Sequence, residues 1–90
     1  MLMSQELRFD FNETNELIEL LRSLSDSAVL VERDEIFSFS QIPGRLRFVA
    51  TCCLDPSGLL IEASGEYLGF TGELIEMLSV KYGRVTVADA

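Results

Sequence analysis

The side chains best equipped for chemistry in this chain are its carboxylates, fifteen of them against seven Lys and Arg and no histidine. Without histidine the commonest general base is missing, along with the usual partner of a Ser or Cys nucleophile and the commonest zinc ligand. The two cysteines, Cys52 and Cys53, are adjacent. On a strand they point to opposite faces, so a bond between them would be strained, and two thiols alone do not complete a four-ligand zinc site. Asp10, Asn12 and Thr14 have the spacing that opens a calcium loop, but Asn15 stands where that loop needs glycine and Leu21 where it needs a bidentate Glu. These residues read better as a strand end and a helix cap. No lysine-bearing phosphate loop and no G-x-G-x-x-G run is present. A pair of catalytic acids needs a cleft between them, which a chain of 90 residues can hardly enclose. A reactive Cys53 thiol needs a nearby cation. Arg45 and Arg47 share its strand face but lie ~20 Å or more away along an extended chain. The expectation is no catalytic residue, no metal and no cofactor.

Two charged patterns remain. Arg45 and Arg47 follow Pro43-Gly44 on one strand face and could hold an anion, or simply balance neighbouring acids. The acidic pattern is clearer. Glu13, Glu16 and Glu19 recur at three-residue steps opposite a leucine stripe, and Asp26, Glu32, Asp34 and Glu35 continue the acidity beyond it. Only Arg22 offers Glu19 a cation on the same helix. Repulsion of this kind costs helix stability, and a face that is merely solvated more often interleaves Lys with Glu. The partner-binding residues expected are therefore Glu13, Glu16, Glu19, Asp26, Asp34 and Glu35.

The elements that carry these residues follow from hydrophobic spacing. Leu7, Phe9 and Phe11 alternate with Arg8 and Asp10, the period of a half-buried strand. Asn12 reads as an N-cap, and Leu17, Leu20, Leu21 and Leu24 form the apolar stripe of a helix from about residue 13 to 24. Residues 28–33 and 36–40 read as strands, separate or merged through a bulge. Residues 45–64 read as a hairpin turning at Asp55-Pro56-Ser57-Gly58. Thr71 is placed to cap a second helix, with a Phe70–Ile75 staple and Gly83 just past its end. Val85 and Val87 make a short last strand. The order β-α-β-β-β-β-α-β predicts one α+β domain over residues 1–90. Five or six mostly antiparallel strands carry both helices on one face, in an arrangement related to the split β-α-β, ferredoxin-like fold with an added strand.

A net charge of −8 repels nucleic acid and anionic membranes, since both are bound chiefly through Lys and Arg. No apolar run approaches the ~20 residues of a membrane span, and the first residues are too polar for a secretory signal. Free thiols point to the cytoplasm. In size, charge and class, though not in any motif, the chain resembles immunity proteins and antitoxins that neutralise nucleases. That resemblance implies a small acidic inhibitor docking on a basic protein such as a nuclease or toxin, whose phosphate-binding site is electropositive. The alternatives are a ferredoxin-like regulatory or ligand-binding domain that dimerises through its sheet, and a structural subunit of a larger assembly.

Overall fold

A computed structural model describes residues 2–26, 28–40 and 47–89. They form β1 (Leu2–Arg8), α1 (Thr14–Ser23), a 3-10 turn (Leu24–Asp26), β2 (Val29–Arg33), β3 (Ile36–Ser40), β4 (Phe48–Asp55), β5 (Gly58–Gly65), α2 (Leu68–Tyr82) and β6 (Thr86–Asp89). The fold is α+β in the expected order. All six strands join one sheet, β2-β3-β4-β5-β1-β6, and every neighbouring pair is antiparallel. β5 and β6 flank β1 and run parallel to each other with α2 between them, which is a split β-α-β unit. α1 links β1 to β2 across three intervening strands. Compared with a four-stranded ferredoxin-like sheet, two strands are added rather than one.

The register sorts side chains to two faces. Leu30, Phe39, Ala50 and Ala63 lie in one cross-strand row, and Phe37, Cys52 and Ile61 in the next. These join Leu7 and Leu59 beneath Leu17, Leu20, Leu21 and Leu24 from the α1 segment and Phe70, Leu74 and Leu78 from α2. Both helices therefore cover the same face. Two alanines sit between the large residues of the first row, and the room they leave is taken by aromatic rings. Phe70 lies 4.8 Å from Phe39 and 5.1 Å from Phe48, centroid to centroid. A second aromatic group closes the other end, where Tyr82 stacks on Phe9 at 5.1 Å and meets Phe11 edge-on.

Local starts and stops differ from the sequence expectation. β1 begins at Leu2 and ends at Arg8, so Phe9 and Phe11 lie beyond it. They stay on the core side because Phe9 N–H still bonds to the Ser57 carbonyl, 3.1 Å. The N-cap of α1 is Glu13, not Asn12, and no side chain caps it. α2 starts at Leu68, three residues before the expected cap. Thr71 is buried inside the first turn, its hydroxyl 3.2 Å from the carbonyls of Tyr67 and Leu68. A threonine hydroxyl can bond back to carbonyls of its own helix instead of capping an N-terminus, which is why the motif misleads. Phe48 and Met77 are only partly buried, at the margin of the core. β2 and β3 are separate strands, joined by Asp34-Glu35 with both residues at positive φ (50° and 65°). That is the mirror-image turn which suits the twist of a tight hairpin.

Candidate partner-binding surface

Glu13, Glu16 and Glu19 are all exposed, but they do not form one ridge. Glu13 is the extended N-cap (φ −123°, ψ 122°) and lies off the helical ladder. Glu16 is four residues from Leu20, so the two share a side of α1. Leu20 in turn lines a groove against α2, which places Glu16 beside the stripe rather than opposite it. The proximity registers on Tyr82 at the end of α2: burial pushes its phenol up, and the Glu16 carboxylate adds to the effect. The Tyr82 hydroxyl is buried with no hydrogen-bond partner among the described residues.

Glu19 belongs to a different cluster. Arg22 Nη1 donates to it at 3.1 Å, while Arg22 Nε and Nη2 grip both oxygens of Glu32 on β2 at 3.0 and 2.8 Å. The register puts Glu32 opposite Phe37, on the helix side of the sheet, so this fork ties α1 to the sheet edge. Hydrogen bonding by the Arg22 guanidinium holds the Glu32 carboxyl below the usual range. The acidic run is thus not wholly unpaired, since Arg22 neutralises part of it. Glu13 and Glu16 have no ion-pair partner among the described residues.

Asp34 and Glu35 form the hairpin tip just past Glu32. Asn and Gly are the usual occupants of such a turn, and a glutamate at φ 65° sits there at a cost of about 1–2 kcal/mol. Asp26 closes the 3-10 turn, and its side chain lies outside the described set, as does the whole of Arg45. Arg47 is exposed and precedes β4, with its carbonyl accepting from Glu66 N–H at 2.7 Å. The expected pairing of Arg45 with Arg47 therefore falls outside the described residues.

The structure adds two acids that sequence spacing left unremarked. Glu73 and Glu76 on α2 line the groove with Leu20, Met77 and Val80, a volume of about 370 Å3. Val80 is 85% exposed at its mouth. The signal was present in the sequence, because both glutamates flank the Leu74–Met77 stripe. Only the packing of α1 against α2 brings them to the side of Leu20.

A second cleft, about 690 Å3, opens at the end of the sheet between Arg8, Asp10, Asn12, Ser57 and Arg84. The β1–α1 loop lines it, as a ligand-binding reading requires. Its cationic character is weak, since Glu6 engages Arg8 at 2.6 Å and Asp10 sits in the same wall. Cys52 is buried and its thiol pushed up to about 12 by burial, whereas Cys53 is half-buried on the opposite face of the sheet. One thiol per native chain is therefore expected to react with an aromatic disulfide reagent, and two after denaturation; two fast thiols in the native chain would contradict the placement of Cys52.

Among the described residues no group of three or more His, Cys, Asp or Glu is arranged to hold a metal ion. None of their helices is long and apolar enough to cross a membrane. No protein-family model, curated protein or solved structure matches the chain.

Proposed function

We propose that this chain is a small acidic binding protein whose helical layer docks on a basic protein and neutralises it, in the manner of an immunity protein or antitoxin against a nuclease or other nucleic-acid-binding toxin. The observation that carries the reading is the acidic groove between α1 and α2. Glu73 and Glu76 line it with Leu20, Met77 and Val80; Glu16 lies one turn before Leu20 on α1, and Glu13 just ahead of the helix. Apolar floor and acidic rim suit a basic segment with an apolar anchor: the anchor displaces water from the groove while its flanking cations meet the glutamates. The strained Asp34-Glu35 turn supports the same reading. Residues kept in an unfavourable conformation point to a use for their side chains.

An acidic face of this kind acts first on encounter, raising association rates by about 10–1,000-fold over a neutral surface at low salt. Replacing Glu13, Glu16 and Glu76 together by Lys leaves Leu17, Leu20 and Leu21 in place and the Arg22–Glu32 fork intact, so the helix content should persist in circular dichroism. With the basic partner captured by the parent protein, the triple variant should associate at least about ten-fold more slowly and lose the parent's salt dependence. Val80→Asp should instead speed dissociation. A folded triple variant that associates as fast as the parent at low and high salt would overturn the proposal.

A further inference from the structure

We infer that the face of the sheet left uncovered by the described residues is where a second copy of this chain docks, sheet against sheet. Both helices lie on the other face, and the side chains opposite the core alternate outward from all six strands. One cross-strand row reads Arg33, Ile36, Cys53, Leu60, Glu6, Ala88; the row on the far side of the sheet's centre carries Val29, Ser40, Val49 and Ser64. Val31 is 62% exposed and Val49 50% exposed, with Val29 and Ile36 close behind. A sheet built only to face water would carry charged residues at most of these positions; here Val, Ile, Leu, Ser, Thr and Cys outnumber the charged ones.

Three features select a second copy as the occupant. The first is charge. The helical layer concentrates glutamates, so two copies repel through it, whereas the open face sets Arg8 and Arg33 against Glu6, Asp55 and Glu62 and comes within one charge of balance. The second is complementarity. Arg33 sits on edge strand β2, and Glu6 on β1 towards the opposite edge. A two-fold axis running along the strands through the sheet centre lays β3 of one copy over β1 of the other. Cys53 then falls over Leu60, and each Arg33 beside the other copy's Glu6. The third is area. Six strands at about 4.8 Å spacing and roughly six residues each at about 3.3 Å give a face of about 600 Å2 before side-chain relief. That is of the order of the about 800 Å2 per partner of a stable interface, and aligned sheets pack in this way about 10 Å apart. The helical layers then point outward, so the dimer presents two acidic grooves.

Sedimentation equilibrium of the intact chain tests the inference, with Cys53 as a built-in reporter. A concentration-dependent monomer–dimer equilibrium is expected, with Cys53 reacting more slowly with a disulfide reagent as the dimer fills. Val31→Asp combined with Val49→Asp should give a folded monomer, checked by circular dichroism, in which Cys53 reacts at one rate at all concentrations. Arg33→Glu and Glu6→Arg should each raise the dimer dissociation constant at least about ten-fold, and their combination should recover most of the loss. A chain that stays monomeric at every concentration overturns the inference. So does a dimer that leaves Cys53 equally reactive, or one unaffected by the two Asp substitutions, as pairing through edge strand β6 would be.

Discussion

Phe39→Ala is expected to destabilise the protein by about 3–5 kcal/mol, the upper part of the range for large-to-small changes in a core. The reason lies in what surrounds the ring. Phe39 is fully buried on β3, 4.8 Å from Phe70 of α2, and its cross-strand neighbour towards the sheet centre is Ala50, followed by Ala63. Alanines cannot move to fill the space the ring leaves, and Phe70 is already committed to Phe48 on its other side. Collapse of the site is therefore limited, and the residual cavity adds to the lost transfer energy. A domain of this size has a total stability of about 5–13 kcal/mol, so the loss is roughly a quarter of it or more. Urea titration should show the midpoint falling with an unchanged slope. A loss below about 1.5 kcal/mol would mean that α2 does not rest on β3 as described.

Phe39 was legible in the sequence because it alternates with Ile36–Ser40 neighbours at strand period, and the same signal located most of the fold. Strands and helices declare themselves through the apolar residues they must bury, so β3, the β4–β5 hairpin and the Leu17–Leu24 stripe were all visible. Their ends were less so. Thr71 carries the chemistry of a cap, yet the chain enters α2 at Leu68, because burying Phe70 on Phe39 and Phe48 extends the helix by a turn. The leading residues of β1 were missed for a related reason. Met3 and Gln5 alternate too weakly to signal a strand, and pairing to β5 along its whole length, joined by β6 from Gln5 onward, supplies what their side chains do not.

The candidate surface was legible only in part. Spacing alone aligns Glu13, Glu16 and Glu19, but spacing assumes a continuous helix, and Glu13 stands outside it. The partner of Arg22 could not be read either, because Glu32 is ten residues away and reaches it through the β2 edge. Glu73 and Glu76 join the surface only once α2 packs beside α1. The open sheet face was half visible, as the second set of alternating residues in each strand. Which set faces water is decided by where both helices land.

Gly58→Ala is expected to be as damaging as loss of a core ring, although it adds only a methyl group. Gly58 opens β5 at φ 149°, opposite Asp55 on β4 and Arg8 on β1. A Cβ there would run into the carbonyl of Leu7 and come within 3.1 Å of the Phe9 ring. The carbonyl belongs to β1, which is held on both sides by β5 and β6 and cannot withdraw without breaking a ladder. Strain at such a backbone position contributes about 1–3 kcal/mol and overpacking a similar amount, so a loss of about 3 kcal/mol or more is expected. The Phe9 N–H bond to Ser57, one residue before, should weaken with it. Gly72→Ala supplies the control. Gly72 lies inside α2 with nothing near its missing Cβ, so alanine there should raise stability by up to about 1 kcal/mol through helix propensity. Opposite signs for the same substitution, read as urea midpoints, are the expected result. A neutral Gly58→Ala would show that β1 does not cross the β4–β5 turn as closely as described.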